Sequence, residues 1–221
     1  MSIITNGDMG LTGKSIVLVG SGKSLLASEG GKYIDGHDRI VRIRMADLYL
    51  GKFSRFVGSS VDILAQNGAS SYSRRTIKEL QRIRRRRQIN GMFITNSSRS
   101  SVHLSHVLNS YNIPNVIISL GPYCIGKMPE LTEFFKHYPN GNMKPSTGFR
   151  VFALLMQYDF KHLTLAGFDR FHSKGGFGRF YDAGVRRGKH SDHKMAKIHD
   201  FDLEQEIMQA SVDSDCRIEV L

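Results

Sequence analysis

Short β-rich runs alternate with helical patterns along nearly all of this 221-residue chain, and that alternation constrains the fold more than any other feature. Strands are expected at Ser15–Val19, Arg39–Ile43, Val61–Gln66, Met92–Asn96, Asn115–Leu120, Leu163–Ala166 and, briefly, near Arg217–Val220. Helical patterns fall between them: from about Ser24, then Arg74–Arg87, Ser101–Asn109, Pro129–His137, Ser146–Tyr158 and Asp200–Ala210. Such an order argues for an α/β architecture, a single Rossmann-like nucleotide-binding domain over residues 1–221 with a mostly parallel central sheet flanked by helices. Ligands of such sheets bind beyond the carboxyl ends of the strands. The turns after Val19, Gln66, Asn96, Leu120 and Ala166 are therefore the candidate binding positions, with Asn67 a candidate nucleotide contact. No repeat, low-complexity tract or linker divides the chain. The stretch 171–198 is glycine-rich, basic and aperiodic, which suits a lid, a binding loop or a disordered segment.

Hydrophobic residues make up 40% of the chain and charged residues 23%, as in ordinary globular domains. No run approaches the ~18 apolar residues that span a bilayer. The start, Met1-Ser2-Ile3-Ile4-Thr5-Asn6, lacks the basic flank and apolar stretch of a secretory signal. Two cysteines, Cys124 and Cys216, provide neither a disulfide framework nor a metal cluster, and a cytoplasmic location is expected. The charge is less ordinary. Net charge is +11, while residues 200–221 carry −6, which leaves +17 on the first 199. Positive potential on that scale recruits polyanions such as nucleic acid, acidic glycan, lipopolysaccharide or a membrane surface.

Two turns carry phosphate-binding chemistry. Pro145-Ser146-Thr147-Gly148-Phe149 opens an apolar helical stretch, and the strand after it ends Ala166-Gly167-Phe168-Asp169. The first amides of a helix lack intrahelical partners and sit at the positive end of its dipole, so this turn suits a phosphate. Proline fixes the approach, and Ser146 or Thr147 can cap the helix. The same residues also suit a capped core helix. The other turn is Gly20-Ser21-Gly22-Lys23-Ser24. It is too short for the phosphate-cradling loop G-x-x-x-x-G-K-[ST], and Leu25 stands where a dinucleotide fingerprint needs glycine. A tight strand-to-helix turn that approaches a nucleotide fits, and so does a purely structural one.

Gly20-Ser21-Gly22-Lys23-Ser24-Leu25 followed by Ile34-Asp35-Gly36-His37-Asp38-Arg39-Ile40-Val41-Arg42 resembles the large sialyl motif of glycosyltransferase family 29, the sialyltransferases. Pro145–Phe168 resembles the small sialyl motif, and His199-Asp200-Phe201-Asp202-Leu203-Glu204 fits the very short motif. The three occur in the family's order and reach over nearly the whole chain. A weaker likeness is to the bacterial sialyltransferases of family 42. The resemblance implies a GT-A-like variant domain, a CMP-activated sugar donor and metal-independent transfer with inversion. Carried over by position, Gly20, Ser21, Ser146, Thr147 and Gly148 would hold the nucleotide, with Gly22 of the same turn a further candidate, and His199 would be the base. The chain departs from the family pattern in having Ser21 for asparagine and Arg44 for a nucleotide-contacting amide. It also lacks the cysteine pair that joins the two main motifs in animal enzymes, and His190-Ser191-Asp192-His193 stands roughly where the third motif belongs.

The chemistry of glycosyl transfer asks for a base on the acceptor hydroxyl and stabilisation of the departing phosphate. Histidine is the side chain best matched to proton transfer near neutrality, which points to His199, with Asp200, Asp202 or Glu204 as candidates to orient its ring. His190, His193 and Lys189 are candidate donors to the leaving phosphate in place of a metal ion. Zinc at His190, His193 and His199 fits no standard ligand spacing, and Asp200-Phe201-Asp202 opens a helix rather than following a strand as a manganese-holding D-x-D does, so no metal is expected. Arg74–Arg87 holds eight basic residues and one acid beside an apolar stripe of Ile77, Leu80 and Ile83. It suits polyanion contact through Arg74, Arg75, Lys78, Arg82, Arg85 and Arg86, or a merely solvated face. The expected function is transfer of a sugar from a nucleotide-sugar to a hydroxyl of an anionic acceptor. Modification of hydroxymethylated bases in phage DNA is one alternative, and non-catalytic nucleic-acid binding is another.

Overall fold

The computed structural model describes residues 4–6, 9–43, 50–67, 90–95, 99–110, 112–118, 127–169 and 198–221. Eight strands form one sheet: β1 (Ile4–Asn6), β2 (Ser15–Val19), β3 (Arg39–Ile43), β4 (Ile63–Asn67), β5 (Gly91–Thr95), β6 (Asn115–Ile118), β7 (His162–Ala166) and β8 (Ile218–Val220). Their spatial order is β1-β6-β5-β4-β3-β2-β7-β8, parallel throughout except for β1, which pairs antiparallel with β6. The expected α/β class with a mostly parallel sheet is what the chain adopts. From β2 the chain steps outward through β3, β4, β5 and β6, then returns to place β7 on the other flank of β2. The order therefore reverses between β2 and β7, and the crevice outside their carboxyl ends is where such folds bind ligands.

Among the described residues six α-helices flank the sheet: α1 (Gly31–Asp35), α2 (Leu50–Val57), α3 (Arg99–Ser110), α4 (Pro129–His137), α5 (Thr147–Leu155) and α6 (Phe201–Ser214), with a 3-10 turn at Lys23–Leu26. Strand alternation decides which helix covers which face. Ile16 and Leu18 point with Val41, Ile63, Phe93 and Leu165 into a core closed by Leu131 and Phe134 of α4, Phe149 and Phe152 of α5 and Ile207 and Met208 of α6. Val17, Val19 and Ile40 point the other way, under Leu25, Ile34, Phe53 and Val57. Leu64, Met92 and Ile94 share that second face with Leu104 and Leu108 of α3. The domain is thus three layers, helix on sheet on helix. All nine residues of α5 are buried, Arg150 included, so this helix is the centre of the larger core rather than a surface element.

Among the described residues strand and helix positions follow the sequence reading, with ends shifted by up to four residues, as where α5 stops at Leu155 and α6 runs on to Ser214; the helix expected at Arg74–Arg87 lies outside the described residues. Two differences matter. The helix expected from Ser24 is a 3-10 turn of four residues followed by the separate α1, because Gly30 and Gly31 interrupt the run where the chain meets α2: a Cβ on Gly31 would lie 2.1 Å from the Ser54 carbonyl oxygen. Neither β1 nor α2 is among the expected elements, although Leu50, Phe53 and Val57 of α2 stand at helical spacing. No helix among the described residues is long and apolar enough to cross a membrane.

Candidate active site

Ser146 caps α5, its hydroxyl accepting the Phe149 amide at 3.2 Å, while Pro145 leads the chain into the turn. The same serine is gripped from across the core. Its amide donates to Oε1 of Glu204 and its hydroxyl to Oε2, each at 2.6 Å. Ser146 is thereby fully engaged, and it shapes the turn, leaving the first-turn amides of Thr147 and Gly148 as the donors that the positive end of α5 offers. The Thr147 hydroxyl lies 3.5 Å from that of Thr95, the last residue of β5, and Thr95 pairs in register with Asn67 of β4. Asn67 and the Ser146–Gly148 turn therefore share the carboxyl edge of the sheet.

The Gly20–Ser24 turn follows β2 at that edge, and its partner is the segment after β7. Gly20 donates to the Ala166 carbonyl at 2.8 Å and Gly22 to the Gly167 carbonyl at 2.9 Å. A Cβ on Gly20 would sit 2.4 Å from the Gly167 oxygen, so glycine is required there by a backbone approach. A Cβ on Gly22 would meet the Asp169 carboxylate at 2.3 Å, and that carboxylate accepts the Ser24 amide at 2.7 Å and the Ser24 hydroxyl. Phe168, between them, packs where a Cβ on Gly148 would be, 3.0 Å from its ring. Three consecutive residues, Gly167, Phe168 and Asp169, join the two turns.

Asp35 and Arg42, from the segment that resembles the large motif, serve the scaffold. Asp35 accepts the amides of Ser59 and Ser60 at 2.8 to 3.0 Å. Arg42, fully buried in β3, donates to the carbonyls of Val57 and Ser60 at 2.7 Å each. Together they fix the loop between α2 and β4.

His199 precedes the cap of α6. The segment pairs with the approach to Ser146: Lys144 donates its amide to the Ile198 carbonyl at 2.8 Å, and His199 Nδ1 donates to the Lys144 carbonyl. A carbonyl can only accept, so Nδ1 carries the proton and Nε2 is the basic nitrogen of the neutral ring. The ring is half-buried and lies 5.4 Å from the Phe201 ring. The orienting contact is thus a backbone carbonyl. Glu204 is committed to Ser146, and Asp200 caps α6 by accepting the Leu203 amide at 3.0 Å while taking the Tyr138 hydroxyl. Burial pushes the Asp200 carboxyl upward, but the bonds from Tyr138 and from the Leu203 and Asp202 amides outweigh it, and it sits below its ordinary range. Among the described residues no group of histidine, cysteine, aspartate and glutamate is placed to hold a metal.

Glu204 and Arg150 form the buried charge pair beneath the turn. Burial pushes the Glu204 carboxyl up to about 7, against the two bonds from Ser146 and the charge of Arg150, which pull it down. Burial likewise pulls Arg150 down to about 10, while Glu204 favours its charged form. Its Nε donates to the Pro145 carbonyl at 2.8 Å, so both members of the pair hold the same turn.

The structure brings together Gly20, Ser21, Gly22, Asn67, Ser146, Thr147, Gly148 and, by its tie to Lys144, His199. Arg44, Lys189, His190, His193 and the basic residues Arg74, Arg75, Lys78, Arg82, Arg85 and Arg86 lie outside the described residues, as does 171–197 of the expected lid. Sequence reasoning passed over Asp169, Thr95 and Lys144. Asp169 had a usable signal, since it directly follows the glycine-phenylalanine that ends the small motif. Lys144 acts through its carbonyl, which no side-chain pattern reports.

No curated protein sequence matches the chain. Among solved structures, a mammalian sialyltransferase in complex with Gal-beta-1-3GalNAc-ortho-nitrophenol superposes with a TM-score of 0.58 at 16% identity, covering 95% of this chain and 69% of that one. The Campylobacter jejuni sialyltransferase CstII, in complex with the substrate analogue CMP-3FNeuAc, gives 0.58 at 14% identity over 94% and 81%. The same enzyme in complex with cytidine-5'-monophosphate gives 0.58 at 15% over 96% and 80%. These likenesses establish the fold. The model of glycosyltransferase family 29 (sialyltransferase) matches residues 10–215. With that match spanning nearly every element described above, the chain belongs to glycosyltransferase family 29 and is a glycosyltransferase of the sialyltransferase type.

Proposed function

We propose that this enzyme transfers a sugar from a CMP-activated donor to a hydroxyl of an anionic acceptor, with inversion and with His199 as the general base. The observation that carries the reading is the tie between His199 and Lys144, two residues before the Ser146 turn, which sets Nε2 as the basic nitrogen beside a helix N-terminus. In the reaction, Nε2 takes the acceptor proton as the acceptor oxygen bonds to the anomeric carbon. The bond from that carbon to the phosphate oxygen breaks, and the nucleoside monophosphate leaves with the electron pair. The first-turn amides of α5 stabilise the departing charge, work that needs prepositioned donors rather than a metal. His190, His193 and Lys189 are further donors in this reading, with Gly20, Ser21, Gly22 and Arg44 against the nucleoside. The charge of +17 on the first 199 residues supports an anionic acceptor.

Solved relatives bound to CMP and to CMP-3FNeuAc make cytidine the first nucleotide to test. The purified protein is expected to be thermally stabilised by CMP more than by UDP or GDP, and to transfer from a CMP-sugar in excess EDTA. Acceptors to compare are acidic glycans, lipopolysaccharide and hydroxymethylated DNA. Equal or absent response to CMP would remove the donor assignment, and activity abolished by EDTA would remove the metal-free mechanism.

A further inference from the structure

We propose that Asp169 is a positioning residue for the donor nucleotide, acting through Ser24 to hold the Gly20–Ser24 turn in the shape that receives it. The inference rests on the nucleotide-sugar reading above and deepens it. The β2/β7 crevice is the topological switch point of the sheet, and both of its walls are glycine-containing turns. One wall is Gly20–Ser24, with two glycines in its first three residues; the other is Gly167–Asp169, which starts on a glycine with φ of +70°. Two backbone bonds stitch the beginning of the first wall to Ala166 at the end of β7 and to Gly167 of the second wall. Its far end is held by Asp169, whose two carboxylate oxygens accept the amide and the hydroxyl of Ser24. Gly22 presses against the same carboxylate, which leaves no room there for a side chain.

The neighbouring residue makes the arrangement specific to the donor site. Phe168 packs against Gly148 in the other glycine-containing turn, so the backbone that aims Asp169 at Ser24 is seated against the helix end assigned to the leaving phosphate. Release of Ser24 frees the first turn to move relative to the second. The defect then falls on donor binding, since the base, His199 just before α6, is tied to Lys144 and not to this strut.

The test compares Asp169→Ala, Asp169→Asn and Ser24→Ala with the full wild-type chain, measuring the CMP dissociation constant, donor KM, kcat, acceptor KM and thermal midpoint. Asp169→Ala is expected to weaken CMP and raise donor KM by roughly 10-fold or more, as loss of a charged hydrogen bond does, with kcat at saturating donor and acceptor KM within about 3-fold. Asp169→Asn retains an oxygen that can accept the Ser24 amide and is expected to recover most of that loss. Ser24→Ala is expected to give an intermediate loss. Unchanged CMP affinity in Asp169→Ala would overturn the proposal, as would a fall in kcat and midpoint with donor KM intact. If Asp169→Ala fails to fold, Asp169→Asn and Ser24→Ala decide, and wild-type affinity in both overturns it. Failure of the wild type itself to bind CMP would remove the donor reading and this inference together, whereas a binding wild type with an indifferent Asp169→Ala removes only the latter.

Discussion

Glu204 accepts both the backbone amide and the hydroxyl of Ser146, at 2.6 Å each, across 58 residues of chain. This bond pair couples the helix that follows His199 to the turn that opens α5, so base and helix end are set by one buried carboxyl. Glu204→Ala is expected to leave the Ser146 donors and the Arg150 charge unpaired in the core. The cost is about 3 to 5 kcal/mol, read as a lowered urea midpoint. Glu204→Gln, which keeps an acceptor for the amide, is expected to retain most of the stability.

The same carboxyl gives stability a pH slope. Its ordinary value of 4.5 is raised to about 7 in the folded chain. The unfolded chain therefore gives up this proton first. The contribution of Glu204 is full below about pH 4.5, declines as pH rises to about 7, and is level above. Across that window the shift corresponds to about 3 kcal/mol, the opposing pull of Ser146 and Arg150 already included. Chemical denaturation at a series of pH values should show the decline in the wild type and its loss in Glu204→Gln.

Removal of the base should separate chemistry from binding. His199→Ala is expected to lower kcat by 10²- to 10⁴-fold, the usual contribution of a general base, with CMP affinity within a few-fold of wild type. His199→Gln should be equally slow, because an amide can replace the bond to the Lys144 carbonyl but cannot take a proton. Near-normal turnover in either variant would exclude this role for His199.

Gly20→Ala should be among the most damaging small substitutions in the chain. The added methyl meets a backbone oxygen at 2.4 Å, and neither β2 nor β7 can yield without loss of register. A cost of about 2 to 4 kcal/mol is expected, measurable by thermal melting. Gly13→Ala is the informative control for contact strain, since nothing lies within 4 Å of a Cβ there although its φ is +70°. It should cost only the backbone penalty of about 1 kcal/mol.

Arg42→Met replaces a fully buried guanidinium that bonds the carbonyls of Val57 and Ser60. Two acceptors lose their donors, and the loop between α2 and β4 loses its anchor. We expect a loss of about 2 to 4 kcal/mol with donor KM unchanged at temperatures where the variant is folded. A raised donor KM would instead give Arg42 a part in binding.

Much of the fold is written in local pattern. Ser15–Val19 and Arg39–Ile43 alternate cleanly between the two cores, and Pro129 and Ser146 mark helix starts by ordinary capping chemistry. Leu50–Val57 does carry a helical stripe in Leu50, Phe53 and Val57, but it is only two turns long and is easily passed over; Phe53 and Val57 pack with Ile34 and Val19 in the structure. In the site, glycine spacing and the lone His199 are visible because chemistry restricts the residue type. The partner of His199 is not, because any residue supplies a carbonyl. Glu204 shows the opposite case. Its type is legible beside His199, where proximity in sequence suggests a ring partner, yet one helical turn carries it inward to Ser146.

The segment Gly167-Phe168-Asp169 carries a further consequence. Its three residues address three different neighbours in strict succession: backbone to Gly22, ring to Gly148, carboxylate to Ser24. Insertion or deletion of one residue here would turn the phenyl ring away from Gly148 and the carboxylate away from Ser24. The length of this connection is therefore fixed as firmly as its composition, and family members that keep both turns should keep the count of residues between the end of β7 and this aspartate.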